Sequence, residues 1–220
     1  MCRLLAMIFG RPPMTSWPDQ HPPPLVVNDD ALLTDPYSAQ KPISKAKVSL
    51  LGFFVYSIKW SDILLEVLKS DRTEPLSDPL SSDEKLFSLE ELNRFLVLDD
   101  ALEAWRSQLP DYLTVQAHDN LQSDSTLTSQ CIATLCRYLH LKILLFRPAI
   151  VKVTKYNVFG EEDSTAGNMK LTDLQRTMLQ GCVCSCISAA QDIVRMIHAR
   201  CMRENSPLPN WWYTTFCKFT

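Results

Sequence analysis

Apolar residues recur along most of the chain at helical rather than strand spacing, and they mark four long segments. The first predicts a helix from near Ser44 to about Ser70, with Leu51, Val55, Ile58, Leu65 and Leu68 on one stripe. Phe53, Phe54 and Trp60 flank that stripe and widen it, which predicts deep burial. A loop of Asp, Ser and Pro, Asp71 to Ser82, ends it. Ser88 and Glu91 then stand at capping-box spacing, so a second helix opens there. Leu92, Phe95, Leu102, Trp105 and Leu109 mark its inner face, and Pro110 stops it. The third helix begins near Ser125 and carries Leu127, Cys131, Leu135, Leu139, Ile143 and Phe146, and Pro148 is expected to end or kink it. Lys155 to Asn168 reads as a loop, with Gly160, Gly167 and the acidic Glu161-Glu162-Asp163. A second capping box, Thr172 with Gln175, launches a fourth helix whose inner face is Leu174, Met178, Cys182, Cys186, Ala189, Ile193 and Ile197. Pro207 lies beyond its end. Asn210 to Phe216, with Trp211, Trp212 and Tyr213, reads as the start of one more helix.

The opening of the chain follows a different rule. Pro12, Pro13, Pro18, Pro22, Pro23 and Pro24 crowd Arg11 to Pro24, and each ring fixes φ and removes a donor, so this stretch is expected to run extended. No fixed-period repeat and no convincing strand alternation occurs. The expected fold is all-α: an irregular multi-helix bundle with long loops, residues 1–43 forming an extended Pro-rich segment and 44–220 the helical core. Five glycines against fourteen prolines agree, because sheet-rich folds and phosphate-cradling loops need glycine at their tight turns.

Composition narrows the function classes. With 46% hydrophobic and 21% charged residues in 220, the chain reads as one large or two small globular domains. A formal charge of −3 and a pI near 5.8 supply no basic footprint for gripping DNA. The apolar run Val48 to Ile58, bracketed by Lys47 and Lys59, is far shorter than the roughly 20 residues of a membrane span, so no membrane partner is expected. None of the eight cysteines falls between Arg3 and Gln130, which argues against a framework of bridges. The apolar Met1 to Phe9 has no small-residue cleavage site before Arg11 and Pro12. The reading is a reducing, intracellular compartment, with thiols used as small core hydrophobes.

No motif carries chemistry. In Cys182-x-Cys184-x-Cys186, residues two apart lie about 200° round a helix axis, so Cys184 points away from the other two, and core packing is favoured over zinc. His198 and Cys201 share a helix without a second ligand pair, and His198 near a helix end is expected to meet the dipole or solvent. His140 reads as structural. There is no G-x-S-x-G, H-E-x-x-H or G-x-x-x-x-G-K-S/T, and Gly10-Arg11-Pro12 holds too few glycines for a dinucleotide loop. The acidic pairs Asp29-Asp30 and Asp99-Asp100 read as caps and solvated turns in loops. No catalytic or metal-ligating residue is assigned, no cofactor is expected in this chain, ligand-binding residues stay unassigned, and the chain does not read as an enzyme.

Several phrases, in order, resemble the regulatory "middle homology" region of fungal zinc-cluster (Zn2Cys6) transcription factors. Phe9-Gly10-Arg11-Pro12-Pro13 is similar to that family's G-R-P phrase, and Pro22 to Leu32 to the proline-then-acidic segment after it. Leu98 to Pro110 resembles its L-x-x-W-x-x-x-L-P helix end, carried by Trp105, Leu109 and Pro110. Leu139 to Pro148 resembles its L-x-x-L-L-x-R-P helix, carried by Phe146, Arg147 and Pro148. Read this way, R-P ends the third helix and leaves Arg147 to satisfy its last carbonyls. The aromatic stretch from Trp211 also fits.

The resemblance implies a helical regulatory region in the nucleus that governs transcription by RNA polymerase II. Its implied partners are proteins, a second copy or the transcription machinery, and a small-molecule effector. In the family, DNA and zinc are bound by an N-terminal cluster of six cysteines, which these residues do not contain. The chain is therefore expected to be a regulatory region truncated at both ends. The alternative is a stand-alone helical interaction protein that dimerises with an intact family member and modulates it, the Trp211-Trp212-Tyr213 stretch supplying the surface.

Overall fold

The computed structural model of the chain describes residues 24, 26, 49–72, 88–114, 125–156 and 172–202. Gly10, Arg11, Pro12 and the stretch from Asn210 to Phe216 lie outside them, as do positions 73–82 and 157–168 of the predicted loops. The described part is all-α. It comprises α1 (Leu51–Arg72), α2 (Leu89–Ser107), a single 3-10 turn (Asp111–Leu113), α3 (Ser125–Tyr156) and α4 (Asp173–Cys201), with no strand among the described residues.

Both capping boxes form. At α2, Ser88 is extended (φ −74°, ψ 155°); its Oγ accepts from Glu91 N at 3.1 Å, and Glu91 Oε2 accepts from Ser88 N at 2.7 Å. At α4, Thr172 Oγ1 accepts from Gln175 N at 3.3 Å while Gln175 Oε1 accepts from Thr172 N at 3.0 Å. Each pair satisfies donors that the first helical turn leaves unmatched.

α3 touches all three other helices and the 3-10 turn. Its buried Leu139, Leu141, Leu145 and Phe146 meet Trp60, Leu64 and Leu68 of α1, Leu92, Phe95, Leu102 and Trp105 of α2, and Leu179, Cys182, Cys186 and Ile193 of α4 in one core. Polar contacts fix the register of α1. Trp60 Nε1 donates to Arg137 O at 3.2 Å, and Arg137 donates to Ser57 Oγ while its guanidinium lies 4.6 Å over the Phe53 ring. Cys131 Sγ donates to Tyr112 O at 2.8 Å, tying the 3-10 turn to α3.

Several expectations are corrected. α1 starts at Leu51 rather than near Ser44, Ser49 and Leu50 preceding it outside the helix. Its inner face is Val55, Trp60, Leu64, Leu65, Val67 and Leu68; Leu51 and Ile58 are only half-buried and Phe54 is 55% exposed. Because α1 meets both α2 and α3, the face is set by two neighbours rather than by one stripe. On α4, Leu174 is exposed in the first turn, and the buried positions begin only at Leu179. Pro148 does not end α3, which runs on to Tyr156, so Arg147 is an exposed mid-helix residue and not a terminal cap. The proline forfeits one hydrogen bond and clashes with the turn before it, a cost of about 3 kcal/mol. Continuing the helix buries Ala149 completely and packs Ile150 and Val153 against the core, which offsets that cost.

The two described glycines sit in opposite surroundings. A Cβ at Gly181, in the middle of α4, would meet nothing within 4 Å. Gly181→Ala is therefore expected to stabilise the chain by about 0.5–1 kcal/mol, through helix propensity alone. At Gly52 the same methyl would fall 2.0 Å from Tyr112 Oη and 3.1 Å from Cζ, so the ring must move and the gain vanishes or reverses. Urea melts of the two variants check this; equal gains would refute the close Gly52–Tyr112 approach.

Candidate functional site

A cluster of charged and polar side chains lies where α2 meets α3. Asp99, Glu103 and Arg106 follow one another at four- and three-residue spacing on one side of α2, and Tyr138 and Lys142 face them from α3 at i, i+4. Lys142 Nζ lies 2.7 Å from Glu103 Oε1 and 3.3 Å from Asp99 Oδ1. Tyr138 donates its hydroxyl to Glu103, and the Arg106 guanidinium lies 4.5 Å over the Tyr138 ring. Asp99 and Asp100 are thus mid-helix residues, and the expectation that this pair sits in a solvated loop is corrected. Aspartate is a poor helix former, yet α2 continues through it because its other face, Leu92, Phe95, Leu102 and Trp105, is buried.

The two carboxylates differ. Burial raises the Asp99 pKa, and the nearby Lys142 cation lowers it only in part. Its Oδ1 is close enough to Lys142 for an ion pair but is not aligned for a hydrogen bond, so this buried oxygen lacks one. At Glu103 burial also pushes upward, but hydrogen bonds from Lys142 and Tyr138 win and the net direction is down. Lys142 is opposed by burial and still rises above its ordinary value, because Glu103, Tyr138 and Asp99 favour its charged form.

Replacing Lys142 tests the cluster. Side chains here are 16% (Lys142), 25% (Asp99) and 44% (Glu103) exposed, so screening by water reduces the loss below that of a dry ion pair. Lys142→Met is expected to destabilise by about 1–3 kcal/mol at neutral pH. Glu103→Gln should lose stability too, since a lowered carboxyl pKa favours the fold above its unfolded value and fails as pH falls through the folded one. Asp99, whose pKa is raised, contributes with the opposite sign: its charged form disfavours the fold as pH rises through that window. Asp99→Asn is therefore expected to cost nothing or to stabilise slightly. Thermal melts of the three variants at pH 7 would refute this cluster if Asp99→Asn were the worst of them.

Beside the cluster lies an open cleft of about 490 Å³, bounded by Arg106, Tyr138 and Lys142, by Leu135 and Leu139 of α3, and by Cys184, Ser185, Ser188, Ala189 and Asp192 of α4. A second groove of about 370 Å³, between Ile63 and Leu65 of α1 and Leu98 and Ala101 of α2, is mostly apolar, with Asp62, Glu66 and Lys69 at its rim.

Of the residues singled out in the sequence, Trp105 and Phe146 are buried in the shared core, Phe146 edge-on to Phe95 at 6.2 Å. Leu109 packs half-buried against the same core. Pro110 neither sits in α2 nor stops it directly. α2 ends at Ser107, Gln108 caps it, and Pro110 precedes the 3-10 turn, an element the sequence reading missed. Cys182 and Cys186 are buried and Cys184 is exposed, as their spacing predicts. Burial pushes the Cys131 and Cys182 thiols up to about 11, which makes them poor nucleophiles near neutral pH. No group of three metal-capable side chains occurs among the described residues, and no described helix is long and apolar enough to cross a membrane. Comparison with models of known families, with curated proteins and with solved structures returns no match for this chain.

Proposed function

We propose that the chain is a regulatory domain of a fungal-specific transcription factor, a helical scaffold that acts in the nucleus on transcription by RNA polymerase II. The observation that carries this reading is that its two strongest resembling phrases supply facing walls of one core. Trp105 comes from the last turn of α2, Leu109 and Pro110 from the link between it and the 3-10 turn, and Phe146 and Pro148 from α3, with Trp105 and Phe146 both buried in the core. A further support is that the polar groups of the fold are spent on holding helices together: Glu103 on Lys142, Arg137 on Ser57, and the Trp60 and Trp105 indoles on backbone carbonyls. In this reading protein partners are engaged directly, whereas DNA and zinc are handled by a six-cysteine cluster that is not among these residues.

The test is to tether the chain to an unrelated DNA-binding domain in a fungal cell and read a reporter. Transcription is expected to change several-fold relative to the DNA-binding domain alone, and Trp105→Ala should abolish the change. A soluble, helical fusion that leaves the reporter untouched overturns the reading.

A further inference from the structure

The cleft between α2, α3 and α4 places an arginine without an ion-pair partner among the described residues opposite two serine hydroxyls. Most charges around it are already matched. Lys142 is held by Glu103 and Asp99, and Asp192 by Arg195 at 2.9 Å. Arg106 is held less tightly: it lies over the Tyr138 ring and its charge acts on Glu103, but no carboxylate comes within ion-pair distance of it among the described residues. Glu103 stands one turn before it on α2, but that carboxylate is taken up by Lys142 and Tyr138. Opposite, Ser185 and Ser188 of α4 present hydroxyls with no side-chain partner among the described residues. Between these polar groups lie Leu135, Leu139 and Ala189.

From this juxtaposition we propose that the cleft binds a small amphipathic oxyanion, a carboxylate or phosphate ester on a short apolar tail. The guanidinium offers a planar fork of donors whose geometry matches two oxygens of such a head group, and hydroxyls can complete its hydrogen bonds. The leucines and Ala189 receive the tail. The carboxylate of the cleft wall, Asp192, is engaged by Arg195 of its own helix, so a cationic head group would have to compete with that pair. At about 490 Å³ the cleft falls within the range of about 300–1,000 Å³ of small-molecule sites. The proposal goes beyond a role in transcription and stands independently of it.

The experiment is calorimetric titration of the full chain with probes that share one tail and differ in head group: hexanoate, hexyl phosphate, hexanol and hexylamine. At least one anion is expected to bind about tenfold more tightly than the alcohol and the amine, and which anion binds better separates carboxylate from phosphate recognition. Arg106→Gln should erase the preference for the anion. Ser188→Glu, at an exposed position away from the core, should block anions by charge while the circular dichroism spectrum stays unchanged. Equal binding of all probes, a preference for the amine, no binding of either anion, or anion binding that survives both substitutions would each overturn the proposal.

Discussion

Trp105→Ala is expected to cost about 3–5 kcal/mol, the range of large-to-small changes at well-packed aromatic sites. The side chain is 4% exposed and sits in the core where α2 meets α1 and α3. Its Nε1 donates at 3.0 Å to Tyr56 O, a carbonyl inside α1 that also serves the helix ladder. The substitution therefore removes volume from the core and a link between two helices at once. Trp105→Phe separates these losses: it keeps most of the apolar bulk and gives up the donor, with an expected cost of about 1–2 kcal/mol. Against a total stability of about 5–15 kcal/mol, the alanine variant should be largely unfolded at moderate urea. Equal effects from alanine and phenylalanine would show that the indole hydrogen bond, not packing, governs this joint.

The second large effect is expected from acid. His140, on α3, is 7% exposed, and burial, aided by the charge of Arg147, holds its pKa down at about 4 against an ordinary 6.5. The folded chain thus keeps this imidazole neutral, while the unfolded chain takes up a proton as pH drops below 6.5. The unfolded state binds more protons throughout that window, so stability is whole above pH 6.5 and is lost on the way to pH 4. Integrated over the window the loss is about 3 kcal/mol, at roughly 1.4 kcal/mol per pH unit. His140→Leu should flatten the curve between those limits while leaving the deeper acid transition of the carboxylates in place. Urea unfolding at a series of pH values measures both; an unchanged slope in the variant would remove His140 as the cause.

How much of this was readable in advance depends on how local each cause is. Ser88 with Glu91 and Thr172 with Gln175 fixed two helix starts to the residue, because a capping box needs nothing beyond its own four residues. The alternation of Cys182, Cys184 and Cys186 between inside and outside followed from helix geometry alone. Pro148 misled because its penalty is local, whereas the burial of Ala149 that outweighs it depends on neighbouring helices. Asp99 misled in the same way, since nothing adjacent to it announces Lys142 on another helix. A signal for the cluster did exist: the polar spacing Asp99, Glu103, Arg106 on one helix and Tyr138, Lys142 on another is as periodic as the apolar stripe. Tracking only apolar periodicity passes over it, and the cleft with it. The serines of its far wall belong to α4, and no sequence pattern links Ser185 to Arg106.

Glu91 holds two partners with its two oxygens: Oε2 closes the cap on Ser88, and Oε1 reaches Lys152 at 3.3 Å, on the part of α3 that follows Pro148. Helix beginnings and the turns beyond a proline are both places where local opening is ordinarily easy. Here one carboxylate joins them, so fraying at either end weakens the hold on the other. Glu91→Gln is therefore expected to speed amide exchange both in the first turns of α2 and in the turns of α3 beyond Pro148, although they belong to different helices.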